Sequence, residues 1–247
     1  RILAARGVPV IGIARDPRHF ACRTRVCERR IAADTHGPGL VEVLELIGAT
    51  LDEPAVLYPC TDLAVLTLSR EREQVARHHR LVLPDAETVE TLVDKVRFLE
   101  LAARIGLPIP RTFLIRDAAG ARAAAAGLAY PVVVKPPYKT PAWQAALREK
   151  AFKVRDAAEL LALFERVGSL SPVLIAQEWI EGGESELYSC NTYYGLEGRP
   201  LATFVARKLR QWPPETGTSA LGEEVRNDAV LARSEEHTSE LQSQFRI

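Results

Sequence analysis

"AYPVVVKPPYKT", residues 129–140, decides how the rest of the chain is read. Its three valines have the composition of a strand buried on both faces. Yet the run ends in a cation, Lys135, followed at once by Pro136 and Pro137, which cannot continue a hydrogen-bonded ladder. Such a lysine either reaches solvent on its aliphatic stem or is held toward something negative. The segments on either side bear on that choice.

Downstream, "KAFKV" (150–154) reads as a second strand, and "RDAAELLALFERVG" as a helix with Asp156 and Glu159 at capping-box spacing. Three strands then follow in series, "VLIAQEWI", "ELYSCNTYYG" and "RPLATFVARKLRQW". Upstream, "DKVRFLELAARIG" is a helix stopped by Gly106, and "LPIPRTFLI" is an extended link into a strand, enforced by Pro108 and Pro110. An alanine-rich helix over 118–128 leads back to the lysine strand. Helix, strand, strand, helix and then consecutive strands predict a mainly antiparallel sheet with helices on one face, an α+β domain.

Before Asp94 the pattern differs. "RILAARG" is a short helix ended by Gly7, "VPVIGIA" (8–14) a strand and "GPGLVEVLELIGATL" a helix. "AVLYPC" (55–60) is a strand, "TDLAVLTLSREREQVARHH" a helix capped by Thr61, and "LVLPDAETVETL" one more strand and helix. Alternation of this kind predicts an α/β unit with parallel strands, and the opening helix reads as a crossover whose first strand lies upstream of residue 1. Neither a GxGxxG fingerprint nor a GxxxxGK[ST] loop is present, so any nucleotide would be held by other means. Residues 1–93 and 94–232 are thus expected to form separate domains.

Composition narrows the function classes. The chain has 247 residues, 47% of them hydrophobic, enough for one large or two modest cores. Lysine plus arginine equal aspartate plus glutamate at 32 each, so no global field favours nucleic acid or an anionic membrane. There is no apolar run long enough to span a bilayer, and Arg6 and Gly7 interrupt the start too early for a signal peptide, which makes the cytoplasm the expected location. Cys22, Cys27, Cys60 and Cys190 form no CxxC pair and are expected to be reduced thiols.

Both ends are unusual. The sequence contains no methionine and opens inside a helix, so the natural start is expected to be missing. Residues 233–243, "RSEEHTSELQS", resemble the translation of a common sequencing adapter, and 233–247 are expected to be an artefactual tail. Without its two arginines and three glutamates the chain carries 30 positive and 29 negative charges, so the neutrality argument survives.

Several polar residues sit where a packed sheet least wants them. Lys95 lies early in a helix, Lys135 ends one strand and Lys153 lies within another; Glu178, Glu181, Glu184 and Glu186 surround the Gly182-Gly183 turn. Singly, each reads equally as a solvated surface residue. In order, however, "DKVRFLELAARIGLPIPRTF", "YPVVVKP", "QEWIEGGESELYS" and "FVARKLRQWPPETGTS" resemble the opening helix, lysine strand, hinge and following strand of the ATP-grasp superfamily, in its carboxylate-amine ligase branch. The resemblance implies a truncated α/β pre-ATP-grasp-like domain at 1–93 and an α+β ATP-grasp domain at 94–232, incomplete at its C-terminus.

By the same resemblance, Lys95 and Lys135 contact nucleotide and phosphates, and Lys153 is a further nucleotide candidate. Backbone groups of Glu178, Trp179 and Ile180 would read adenine, and Glu184 would accept the ribose hydroxyls. Strand alternation predicts Lys208 and Arg210 on one face and Arg207 on the other; the resemblance makes Lys208 a phosphate contact and Arg210 a contact for the acyl substrate. "PPETGTSALGEE", with Gly217, Thr218 and Ser219, is expected as a loop that closes on substrate or as an ordinary surface loop. The implied reaction joins a small carboxylate to a small amine through an acyl phosphate, using ATP and magnesium. A kinase acting on another acceptor and a non-catalytic nucleotide-binding domain are the alternatives. The family's acidic metal ligands have no counterpart before residue 232, and this chain alone is expected to be inactive.

Overall fold

The structure, a computed structural model, describes residues 2–19, 22–138, 140–195, 197, 199–212 and 218–235. It divides into two compact units, Arg1–Val93 and Asp94–Ile247.

The first unit runs α1 (Ile2–Ala5), β1 (Ile11–Ala14), β2 (Arg29–Ala32), α2 (Pro38–Gly48), β3 (Ala55–Val56), α3 (Asp62–Arg70), α4 (Arg72–Val75), β4 (His79–Arg80) and α5 (Ala86–Val93). β1 pairs with β2 and β3 with β4, both in parallel, as the alternation predicts. Thr61 caps α3 by accepting the Ala64 N–H at 3.2 Å. Leu40, Val41 and Leu44 of α2 pack with Ala64, Leu68 and Val75. Two expectations are corrected. β2 lies in a polar "RRIA" stretch that carries no strand signal, and the last strand is His79–Arg80 rather than the apolar "LVLP" after it. Leu81 and Leu83 of that stretch pack on the core without pairing. All four cysteines are free.

The second unit contains α6 (Lys95–Arg104), β5 (Thr112–Ile115), α7 (Ala118–Gly127), β6 (Val132–Lys135), α8 (Pro141–Ala146), β7 (Phe152–Val154), α9 (Ala157–Val167), β8 (Leu174–Glu178), β9 (Tyr188–Tyr194), β10 (Pro200–Trp212) and β11 (Thr218–Glu224). A four-stranded antiparallel sheet has the order β5-β8-β6-β7. A separate three-stranded antiparallel sheet has the order β11-β10-β9. Consecutive strands therefore do not all pair: β8 belongs to the first sheet and β9 to the second, and the break falls at residues 179–187.

Directly opposed residues in an antiparallel pair project to the same face. One face of the larger sheet carries Val132, Val134, Val154, Leu174 and Ala176, all buried against Ala121, Ala124 and Ala125 of α7 and Leu160, Leu163 and Val167 of α9. The registers Val133↔Lys153, Val133↔Gln177 and Lys135↔Ile175 put Lys135 and Lys153 together on the opposite face.

The sequence reading has no counterpart of α8, although "TPAW" carries an N-cap threonine and a proline at the first helical position. Thr140 accepts the Trp143 N–H at 3.0 Å and donates its own hydroxyl to Leu170 O at 2.6 Å. Trp143 is fully buried and its Nε1 donates to Glu149 O at 3.0 Å. The segment between β6 and β7 is thereby nailed to the core. Trp143→Ala is expected to lower stability by about 3–5 kcal/mol, the usual cost of deleting a buried large aromatic side chain. Denaturant unfolding would read this; a loss under ~1 kcal/mol would show that the tryptophan does not anchor the segment.

Candidate functional site

Asp94 starts α6 by accepting the N–H groups of Val96 at 2.8 Å and Arg97 at 3.1 Å, which fixes Lys95 as the first helical residue. A cation there opposes the helix dipole, an arrangement that costs about 0.3–1 kcal/mol unless an anion compensates. Lys135 sits half-buried at the end of β6. Burial disfavours its charged form, and the nearby Lys95 ammonium pushes its pKa down further. Among the described residues neither lysine is paired with a carboxylate. A helix start and a strand end thus bring two cations near each other, and no carboxylate among the described residues neutralises them.

Lys153 has a different environment. Its ammonium lies 4.3 Å from the centroid of the Trp179 ring and 3.9 Å from Glu181 Oε1. It belongs to the same sheet face as Lys135, but it is engaged with the hinge segment that leaves β8.

That segment is held main chain to main chain. Glu178 N–H donates to Arg111 O and Trp179 N–H to Pro131 O, each at 3.0 Å. Ile180 is 75% exposed, and its backbone makes no hydrogen bond among the described residues. The four hinge carboxylates all have partners: Glu178 accepts Ala129 N–H at 2.9 Å, Glu181 faces Lys153, Glu184 accepts Gln211 N–H at 3.1 Å and Glu186 accepts Gly183 N–H at 2.7 Å. Gly182 turns the chain with φ at 156°, a backbone conformation that residues bearing a side chain rarely adopt.

The strand β10 departs from strict alternation. Its pairing with β11 shifts register between Lys208 and Arg210 and again between Arg210 and Gln211. Lys208 Nζ donates to Gln211 Oε1 at 3.0 Å, a contact between positions three apart that a regular strand would send to opposite faces. The expectation that Lys208 and Arg210 form one cationic face is therefore corrected. Lys208 turns toward the buried Gln211, and Arg210 is exposed at the irregularity. Arg207 is neutralised by its cross-strand partner Glu223, to which its Nε and Nη2 both donate; Glu223 and Tyr188 raise its pKa.

The expected loop over "PPETGTSALGEE" is corrected from Thr218 onward, and residues 213–217, Gly217 among them, lie outside the described residues. Thr218 and Ser219 begin β11, paired with Trp212 and Gln211, because "TSALGEE" completes a hairpin with β10. Gln211 carries no distinguishing signal in the sequence beyond being an amide that follows Arg207, Lys208 and Arg210 in one strand.

No group of three or more His, Cys, Asp or Glu side chains among the described residues is arranged to hold a metal ion. No helix among them is long and apolar enough to cross a membrane.

Since Lys135 binds its proton less readily folded than unfolded, it weakens the fold at neutral pH. That penalty is relieved as pH rises toward the ordinary lysine value of 10.5. Lys135→Met is expected to raise the midpoint of thermal unfolding at pH 7, and the advantage over the unmodified chain should narrow as pH approaches 10.5. A variant less stable at pH 7 would contradict the assignment of Lys135 as an uncompensated cation.

No family model matches the chain. A D-alanine–D-alanine ligase of Stutzerimonas stutzeri is 30% identical over 92 residues, which is 37% of this chain and 27% of that ligase. The matched stretch thus spans little more than a quarter of the curated relative. Among solved structures, an N5-carboxyaminoimidazole ribonucleotide synthetase in complex with ADP superposes with a TM-score of 0.67 at 14% identity, over 97% of this chain and 59% of that one. The L-amino acid ligase of Bacillus licheniformis does so with a TM-score of 0.64 at 17% identity, over 97% of this chain and 55% of that one. Together with the two antiparallel sheets on either side of residues 179–187, these likenesses show that the chain shares the fold of those ligases.

Proposed function

We propose that the chain is the nucleotide-binding portion of an ATP-dependent ligase that activates a small carboxylate as an acyl phosphate for attack by a small amine. The observation that carries this reading is the meeting of Lys95 and Lys135, two ammonium groups without a carboxylate partner among the described residues. A polyphosphate would relieve their mutual repulsion, supply the anion that the start of α6 favours, and recover the desolvation of Lys135. Compact ammonium groups suit phosphate oxygens where no glycine-rich loop is available.

In this reading the base lies at the hinge. The exposed backbone of Ile180 and the carbonyl of Glu178 offer a donor and an acceptor to an adenine edge, while the Trp179 N–H is already committed to Pro131. Lys153, held by Trp179 and Glu181, borders the base rather than the phosphates. Glu184 accepts ribose hydroxyls, Lys208 meets phosphate from the second sheet, and Arg210 is the exposed cation for the acyl substrate.

The chemistry is two displacements. A carboxylate oxygen attacks the terminal phosphorus and ADP departs; the amine then attacks the acyl carbon, phosphate leaves, and the nitrogen loses a proton. The lysines favour both steps by offsetting charge on the transferring phosphoryl group. The described residues do not provide a ligand set for the magnesium expected of the whole protein. By itself this chain is expected to bind ATP weakly and to release no ADP when amine is supplied.

ATP at about 100 times its Kd should stabilise the parent protein by about 2.7 kcal/mol, read as an upward shift of the unfolding midpoint that Lys135→Met removes. An unchanged midpoint at saturating ATP would refute the nucleotide reading. Hydroxylamine added with ATP and the acid should yield a hydroxamate; ADP release without hydroxamate would instead indicate a kinase acting on a non-carboxylate acceptor.

A further inference from the structure

Gln211 is the least expected buried residue of the second unit. It is 4% exposed, lies in a strand that also carries Arg207, Lys208 and Arg210, and follows the second register shift of β10. Its backbone N–H donates to Glu184 Oε2 at 3.1 Å, and its side-chain Oε1 accepts from Lys208 Nζ at 3.0 Å. A carboxylate and an ammonium thus bind opposite ends of one neutral residue, and neither forms an ion pair among the described residues.

An acid and a base so placed would ordinarily approach each other and neutralise. The neighbouring position shows that alternative, for Arg207 of β10 is directly paired with Glu223 of β11. We propose that Gln211 is a positioning residue that separates Glu184 from Lys208. It satisfies each with a hydrogen bond of the right polarity and keeps both charges available to a ligand. The contact spans the irregular stretch of β10, where Lys208 and Gln211 meet although a regular strand would send positions three apart to opposite faces. Fixing the Lys208 stem in the free protein also removes part of the rotamer entropy that binding would otherwise lose. The inference rests on the proposed function for the identity of the ligand, a nucleotide whose sugar meets Glu184 and whose phosphates meet Lys208, but the hydrogen-bond arrangement itself can be tested without nucleotide.

The test is the rate at which an amine-reactive ester modifies Lys208 in the intact chain, read by mass spectrometry against the exposed Lys150 in the same sample. Gln211→Leu removes the side-chain acceptor and leaves the backbone bond to Glu184; it should raise the Lys208-to-Lys150 ratio about three- to tenfold, the size expected for losing one hydrogen bond of ordinary net strength. Gln211→Glu keeps an acceptor and should hold the ratio at or below that of the unmodified chain, while weakening ATP protection of Lys208, because the new carboxylate neutralises the ammonium. Should Gln211→Leu unfold, Lys135 would become reactive in parallel, and Gln211→Glu would then decide. The same ratio in the unmodified chain and folded Gln211→Leu, or undiminished ATP protection in Gln211→Glu, would overturn the proposal. ATP protecting neither Lys135 nor Lys208 in the unmodified chain would instead refute the nucleotide reading and leave the labelling result for Gln211 standing.

Discussion

Two like charges held near one another set the terms for the second unit. Lys95 and Lys135 come from different elements, one the first residue of a helix and the other the last residue of a half-buried strand, and each placement is unfavourable by itself. Asp94 fixes the helix start, Pro136 and Pro137 fix the strand end, and the apolar face of the sheet is anchored on α7 and α9. The framework therefore over-determines a local arrangement that electrostatics opposes. Such violations of local rules mark functional sites when the rest of a domain obeys them.

Around that pair, charge is managed with some economy. Arg207 is paired with Glu223 and the hinge carboxylates are committed to backbone N–H groups or to Lys153, whereas Lys95, Lys135 and Lys208 have no carboxylate partner among the described residues. The contrast between adjacent residues 207 and 208 is instructive. Composition treats them as equivalent cations, but cross-strand register gives one a glutamate and the other an amide. This leaves positive charge on both sheets of the second unit, on either side of residues 179–187.

Much of this was legible in the sequence where a local rule governs it. Gly106 stops α6, Asp156 caps α9 by accepting the Glu159 N–H at 2.8 Å, and the valine run ends where the prolines require. Pairing was less legible. Nothing in "VLIAQEWI" and "ELYSCNTYYG" says that they enter different sheets, because consecutive strands carry no record of their partners. The period of two also failed at Lys208 and Arg210, since a bulge doubles one position without changing composition. Site residues could be nominated from motif order; which of them retains an unneutralised charge depended on long-range register, and Gln211 could be found only there.

The central claim is that Lys135 is an uncompensated cation awaiting a polyphosphate. Its ammonium can be titrated directly by NMR of lysine labelled with carbon-13 at Cε, with and without ATP. The account predicts that Lys135 titrates below the ordinary 10.5 in the free protein and moves upward when ATP is bound. A Lys135 that titrates at the ordinary value and is unmoved by saturating ATP would contradict it.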